Sequence, residues 1–188
     1  MRSTARAQLF ALLNERSFRR GTFTLTSGKT SDFFIDCKPA VLTAEGHRLV
    51  GELLYEAIDA LEERPAVVAG VELGGCPLAS AISLTSALGE NRPIDAVYIR
   101  KAKKGHGTGK QIEGADGLLA GASCVIVEDT VTTGGSTLRA IETVREAGFE
   151  VSCVFAIVDR LEGGREAIEG AGVRFESLYT RRDFMGEA

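Results

Sequence analysis

One stretch near the middle of the chain, residues 124–136, constrains the fold more than any other. It opens at 124–127 with small and β-branched apolar residues, a composition typical of a buried strand in a parallel sheet. Glu128 and Asp129 follow where that strand is expected to end, and a run of threonines and glycines comes next. Apolar residues then recur at helical spacing between Leu138 and Val144. This order of strand, acidic pair, loop and helix predicts an α/β unit.

The loop between the acidic pair and the helix has the composition of a phosphate site. Gly134 and Gly135 let the backbone approach an anion closely, and the free N–H groups of a helix start point at it. The hydroxyls of Thr132, Thr133 and Ser136 can donate to the same phosphate. The loop lacks the lysine of the P-loop pattern, and the dinucleotide pattern G-x-G-x-x-G is absent from it. These differences argue against a nucleotide triphosphatase and a dinucleotide fold.

The acidic pair narrows the ligand further. A carboxylate beside a bound phosphate is repelled unless it meets hydrogen-bond donors, and sugar hydroxyls are such donors. We therefore expect a phosphorylated sugar, with Glu128 and Asp129 on the ribose diol and the loop on the 5′-phosphate. The alternative is an ordinary strand-to-helix turn with an acidic cap. The stretch resembles the thirteen-residue phosphoribosyl diphosphate (PRPP) signature of type I phosphoribosyltransferases.

A basic, glycine-containing segment between residues 100 and 110 is the second feature. Its cationic side chains are Arg100, Lys101, Lys103, Lys104, His106 and Lys110, in a chain of net charge −4. It has no apolar periodicity, and structureless loops of this length are usually functional or disordered. Cations there can stabilise a departing pyrophosphate, and loop closure can exclude water. The alternative is a solvated basic surface or a weak nucleic-acid patch.

Three motifs in the same order resemble those of the orotate phosphoribosyltransferases. Residues 100–107 are similar to that family's mobile catalytic loop, and residues 24–34 to its N-terminal segment on the orotate side. Asp159 and Arg160 match its Asp-Arg pair at the end of a strand. Phe33 and Phe34, inside the second motif, either stack over the base or fill the N-terminal region. The resemblance extends from about residue 23 to residue 160.

This resemblance implies a reaction and the roles of the residues. Orotate and PRPP give orotidine 5′-monophosphate and pyrophosphate with Mg²⁺, in the synthesis of UMP. By carry-over, Glu128 and Asp129 hold the ribose hydroxyls, and Thr132 and Arg160 contact orotate. The residues expected to hold the 5′-phosphate are Thr130, Val131, Thr132, Thr133, Gly134, Gly135 and Ser136. Those expected to bind pyrophosphate are Arg100, Lys101, Lys104 and His106. His106 either protonates the leaving group or contacts phosphate.

The resemblance also implies catalytic groups, a cofactor and a partner. Arg100, Lys104 and Asp129 are expected to act in catalysis. Mg²⁺ is expected to be held mainly through the substrate, without a ligand set of the protein. Loop 100–107 serves the neighbouring subunit's site in this family, so a homodimer is implied.

The chain departs from the family pattern in two places. Many members have lysine where this chain has Thr26, and Tyr-Lys where it has Leu73 and Gly74. Both lysines face pyrophosphate in those proteins. Backbone N–H groups of residues 71–77, or Lys29, are expected to replace them.

Two other functions share the signature at 124–136: transfer to another base, and regulation by a protein that binds PRPP without turnover. A transferase for another base is not expected to combine residues 26–31 with the loop 100–107. A regulator has little need of a basic mobile loop, and usually shows an added nucleic-acid-binding module. Orotate transfer is therefore the leading hypothesis.

The chain as a whole fits one domain. Its 188 residues, 44% hydrophobic and 26% charged, are typical of a globular protein. The net charge of −4 argues against binding nucleic acid through a bulk field, and no apolar run is long enough for a membrane span. Met1 and Arg2 precede an amphipathic stretch without the apolar core of a signal peptide, so we expect a cytoplasmic protein. The four cysteines are scattered and predict neither disulfides nor zinc.

Strands and helices are expected to alternate along most of the chain. Helices are predicted at 4–16, from 44 to about 61, and at 77–88, 137–147 and 165–169; strands at 66–71, 94–99, 124–127, 151–158 and 173–178; a hairpin within 23–35; and a loop at 101–117. This pattern predicts an α/β fold with a central, mostly parallel sheet flanked by helices. A small N-terminal hood, about 1–40, precedes a core of about 41–180. Ligands are expected at the carboxyl ends of the strands.

Overall fold

The computed structural model describes residues 2–24, 30–101 and 111–186. Its elements are α1 (Arg2–Arg16), β1 (Phe18–Thr24), β2 (Thr30–Ile35), α2 (Lys38–Val41), α3 (Ala44–Asp59), β3 (Val67–Val71), α4 (Gly75–Ala87), β4 (Asp95–Ile99), β5 (Ile112–Glu113), β6 (Ser123–Val131), α5 (Gly135–Glu146), β7 (Glu150–Asp159), α6 (Gly164–Gly170), β8 (Arg174–Thr180) and α7 (Arg181–Met185).

Six strands form the central sheet in the order β5-β4-β3-β6-β7-β8. All neighbouring strands are parallel except β5, which pairs antiparallel with β4. Strands β1 and β2 form a separate antiparallel hairpin. The predicted α/β class and the mostly parallel sheet are confirmed, and their topology brings the carboxyl ends of β3, β4, β6 and β7 to one edge.

Strand β6 has its first residues buried on both faces of the sheet, as expected for a central parallel strand. Val125 and Val127 face a core that includes Leu49 and Leu54 of α3. Cys124 and Ile126 face the opposite core, which includes residues of α5 and α6. The alternation follows from the two-residue period of a strand. The apolar run at 124–127 therefore anchors the sheet between two helical layers.

The N-terminal segment shares the first of these cores. Leu9 and Leu13 of α1 and Phe33 of β2 are fully buried in it. The centroid of the Phe184 ring, in α7, lies 5.0 Å from the centroid of the Phe10 ring and 6.0 Å from that of the Phe33 ring. Aromatic packing thus joins both ends of the chain to the hairpin. Among the helices in the described ranges, none has the length and apolarity that a membrane crossing requires.

Several predicted boundaries are wrong, most importantly at β6. The strand does not end at Val127 but continues to Val131, so the acidic pair lies on the strand itself. The reason is pairing: Thr130 and Val131 lie opposite Val158 and Asp159 of β7, which supply ladder partners that side-chain composition does not reveal.

Other elements also differ from the prediction. The predicted loop at 101–117 contains the short strand β5, which pairs with Tyr98 and Ile99. Helices α4 and α5 begin at Gly75 and Gly135, two residues before their predicted starts. The short helices α2 and α7 were not predicted, because helices of four and five residues are too short to show a helical repeat in the sequence.

Candidate active site

Glu128 is a nearly enclosed carboxylate at the carboxyl edge of the sheet. Its side chain is 5% exposed, and Oε1 accepts hydrogen bonds from Ser136 Oγ at 3.3 Å and Thr137 Oγ1 at 3.2 Å. Burial raises the pKa of Glu128 to about 7, and the neighbouring charge of Asp129 adds to the rise. Near neutral pH this group therefore exchanges a proton easily, and its charge depends on what binds beside it.

Asp129 is held from several sides. Its Oδ1 accepts a hydrogen bond from the backbone N–H of Thr130 at 2.9 Å, and Oδ2 lies 3.9 Å from Lys38 Nζ. Burial raises the pKa of Asp129, whereas the positive charge of Lys38 opposes the rise. A Cβ on Gly74 would lie 2.2 Å from the Asp129 carboxyl carbon. Glycine is therefore required at 74 while Asp129 keeps this position.

The loop after β6 presents the start of α5. Gly134 has a left-handed φ of 79°, and no side chain in the described part of the chain caps the helix, which leaves the first N–H groups of α5 available to an anion. The loop packs on the start of α6, where a Cβ on Gly164 would lie 2.4 Å from Val131 Cγ1 and 2.6 Å from the Thr132 carbonyl oxygen. Close glycine packing therefore fixes the loop at Thr132 and Gly134.

The turn between β3 and α4 closes another side. Glu72 Oε2 accepts a hydrogen bond from the backbone N–H of Lys101 at 3.0 Å, and the peptide between Glu72 and Leu73 is cis. A Cβ on Gly75 would lie 2.3 Å from the Val127 carbonyl oxygen, so the turn lies directly against β6. The expected anion contact from backbone N–H groups of 71–77 stays a prediction.

Arg100 and Lys101 lie where β4 ends. Arg100 Nη1 lies 3.2 Å from Glu113 Oε1 of β5, and both Arg100 and Lys101 line a cleft with Ser136. The structure thus brings these two cations to the signature segment. Lys103, Lys104, His106 and Lys110 lie outside the described residues, as do Thr26 and Lys29, and their expected roles stay predictions.

Arg160 follows β7 and lies next to the signature loop. Its backbone N–H donates to the Val131 carbonyl at 2.9 Å, which places it beside Thr132. The side chain is 11% exposed, with Nη2 at 2.8 Å from Glu162 Oε1, and Cζ is 5.7 Å from the centroid of the Phe33 ring. Phe33 is fully buried whereas Phe34 is 39% exposed, so Phe33 fills the core. The two residues expected at orotate, Thr132 and Arg160, are thus neighbours.

Two residues near the site were missed from the sequence. Lys38 approaches Asp129, and Arg181 of α7 lies 2.6 Å from Asp32 Oδ1 through Nη2. Arg181 lines a cleft with Asp32, Thr133 and Glu162, between the hairpin and the edge of the sheet. Both depend on contacts between distant segments, for which the sequence carries no motif.

Comparison with known proteins identifies relatives over nearly the whole chain. The family model described as phosphoribosyl transferase domain matches residues 42–175. The orotate phosphoribosyltransferase of Sorangium cellulosum is 57% identical over 183 residues, 97% of this chain and 94% of the relative. That of a Bradyrhizobium strain is 46% identical over 98% of this chain and 99% of the relative.

Solved structures agree with these relatives. The orotate phosphoribosyltransferase of Mycobacterium tuberculosis in complex with Fe(III) dicitrate has a TM-score of 0.80 and 38% identity, covering 96% of this chain and 98% of that one. The same enzyme in complex with PRPP has a TM-score of 0.78 and 35% identity, covering 96% and 99%.

The raised pKa of Glu128 predicts a pH-dependent gain of stability in Glu128→Gln. Folding raises this pKa from 4.5 to about 7, so ionisation of Glu128 destabilises the folded protein as pH rises through that window. Glutamine cannot ionise and keeps the Oε1 acceptor. We expect its free energy of unfolding to exceed that of the wild type by on the order of 1–3 kcal/mol at about pH 8, and by much less at about pH 5.

Thermal unfolding at both pH values measures this difference. Glu142→Gln, which removes an exposed carboxylate of α5, is the control and should show no comparable pH dependence. An equal effect of Glu128→Gln at both pH values would contradict the burial argument.

Proposed function

The chain belongs to the orotate phosphoribosyltransferase family, and from that premise we propose that it transfers the 5-phosphoribosyl group of PRPP to orotate. The products are orotidine 5′-monophosphate and pyrophosphate, in pyrimidine biosynthesis. The observation that carries this proposal is the acidic pair, with Glu128 buried and Asp129 partly buried, beside the start of α5, which no described side chain caps. This arrangement offers acceptors to sugar hydroxyls and donors to a phosphate within one short segment.

The chemistry asks the protein mainly for placement and charge. The bond from C1′ to the pyrophosphate oxygen breaks, and a bond from C1′ to a ring nitrogen of orotate forms. Positive charge develops on the ribose as in other glycosyl transfers, and the carboxylates of Glu128 and Asp129 favour it when they lie close to the ring. Orotate is already nucleophilic at this nitrogen, so no strong protein base is required.

Arg160 is proposed to bind the carboxylate of orotate. A guanidinium can bond two carboxylate oxygens at once, which fixes the plane of the base. Arg160 Nε is buried without a hydrogen-bond partner among the described residues, which leaves a donor for a ligand. Thr132 directly follows Val131, whose carbonyl accepts the Arg160 backbone N–H, and its hydroxyl is proposed as a second contact to orotate.

Mg²⁺ is proposed as the cofactor, held mainly through substrate oxygens. Within the described residues, no group of three or more acidic, histidine or cysteine side chains could hold a metal ion. Mg²⁺ often keeps its waters and binds through substrate phosphates with few protein ligands, and the carboxylate oxygens of Glu128 and Asp129 are donors of the type that it prefers. When bound, it supplies charge neutralisation of the pyrophosphate, while Arg100 and Lys101 provide the cations of the chain itself.

A homodimer is the further part of the proposal, with loop 100–107 serving the neighbouring site. Support comes from exposed apolar residues: Leu84 and Leu88, one helical turn apart at the end of α4, are 61% and 81% exposed. Leu73, beside the acidic site, is 65% exposed. Contiguous exposed apolar patches mark protein–protein contacts, and Leu84 and Leu88 are neighbours on one side of the chain. All four cysteines are free thiols, which supports the proposed cytoplasmic location.

The reaction is tested by following orotate loss in ultraviolet absorbance. Turnover is expected only with PRPP, Mg²⁺ and orotate together. Arg160→Lys should raise KM for orotate about tenfold or more and change KM for PRPP little, because lysine cannot make the paired contact. Arg174→Lys, at an exposed position of β8, is the control and should match the wild type. Binding of PRPP without loss of orotate would contradict the proposed reaction.

Hybrid dimers test whether the loop serves the neighbouring site. Lys104→Ala and Asp129→Asn should each be nearly inactive alone. If Lys104 acts across the dimer, a hybrid contains one site with both native residues, so an equal mixture after subunit exchange should regain about a quarter of wild-type activity. A mixture that stays inactive, despite hybrids detected by native mass spectrometry, would show that Lys104 serves its own subunit.

A further inference from the structure

Lys38 is the only cation among the described residues found in ion-pair distance of the acidic pair. It is the first residue of α2, and its Nζ lies 2.6 Å from Asp36 Oδ1 and 3.9 Å from Asp129 Oδ2. The Lys38 side chain is 40% exposed, so its stem is not needed to fill the core. The sequence analysis gave this lysine no role.

The surroundings leave Asp129 little freedom. Thr130 donates its backbone N–H to Oδ1, Lys38 faces Oδ2, and Gly74 lies against the carboxyl carbon. Cys37 connects α2 to the same strand, because its Sγ lies 3.6 Å from the Asp129 carbonyl oxygen. The Cys37 contact therefore holds the start of α2 against β6, and this brings the ammonium of Lys38 within 3.9 Å of Asp129.

The charges around Asp129 oppose one another. Burial raises its pKa and Lys38 lowers it, while the charge of Asp36 raises it. Glu128, adjacent on the strand, has a pKa raised in part by the charge of Asp129. Cys37 stays a neutral thiol, since burial raises its pKa to about 12. Lys38 is thus the one favourable charge facing Asp129 among these described groups.

We propose that Lys38 is a positioning residue for phosphoribosyl transfer: it keeps the Asp129 carboxylate charged and fixed beside Gly74, and Asp36 orients the Lys38 ammonium. The inference rests on the proposed function for its catalytic consequence. A charged Asp129 accepts hydrogen bonds from the ribose hydroxyls and favours positive charge on the ribose. A neutral or displaced Asp129 does neither.

The direct test is the titration of Asp129 in the unliganded protein. Carbon-13 NMR of labelled aspartate carboxyl groups follows each titration, and Asp129→Asn identifies the signal. Lys38→Met should move the Asp129 midpoint to higher pH, because the favourable charge is lost. Asp36→Asn should move it to lower pH, because an unfavourable charge is lost while Oδ1 remains as an acceptor for the Lys38 backbone N–H and ammonium. Lys38→Arg should stay close to the wild type.

Kinetics connect this titration to the reaction. Lys38→Met should lower kcat/KM for PRPP by about tenfold to a hundredfold, and the loss should grow in more acidic solution, because Asp129 then loses its charge at a higher pH than in the wild type. Lys38→Arg should restore most of the activity.

An unchanged Asp129 midpoint in Lys38→Met would overturn the proposal, as would a loss of kcat/KM that is the same at every pH. A shifted midpoint in a wild-type background that turns over no orotate would count against the proposed reaction and not against the coupling of Lys38 to Asp129. The two failures are therefore distinguishable.

Discussion

The structure depends on two adjacent carboxylates near the carboxyl end of its central strand, Glu128 buried and Asp129 partly buried. Glu128 is almost enclosed, and burial raises the pKa of both Glu128 and Asp129. Buried charges are costly unless they are paired and hydrogen-bonded. The hydroxyls of Ser136 and Thr137 serve Glu128, while Lys38 faces Asp129. The first turn of α5 and the short helix α2 are therefore both tied to the acidic pair.

This arrangement leaves each binding group partly unsatisfied until a ligand arrives. The first N–H groups of α5 have no side-chain cap among the described residues, and the carboxylates next to them accept few hydrogen bonds. A sugar phosphate supplies what both lack, because its phosphate accepts from the helix and its hydroxyls donate to the acids. Close glycine contacts at Gly74 and Gly164 fix the two sides of the site without adding side chains that would block it. The sequence motif therefore matches the substrate class, because a sugar phosphate carries both the acceptor and the donors that the site lacks.

Local chemistry was readable from the sequence, whereas long-range contacts were not. The apolar run at 124–127 and the residue types after it were sufficient for the parallel sheet and the sugar-phosphate prediction. The end of β6 was misplaced because the backbone pairs with β7 even where the side chains turn polar. Lys38 and Arg181 reach the site from distant segments, and only the packing of α2 and α7 reveals them. The Gly74 departure became interpretable once its contact with Asp129 was seen.

The most direct test of this account is the number of protons exchanged when PRPP binds with Mg²⁺ near neutral pH. Isothermal titration calorimetry in buffers of different ionisation enthalpy measures it for the wild type and for Glu128→Gln. Hydroxyl donors favour the charged form of a carboxylate, so ribose binding should lower the pKa of Glu128 from about 7. The account predicts that the wild type releases more protons than the variant. Equal proton counts for the two proteins, or a net uptake specific to the wild type, would contradict it.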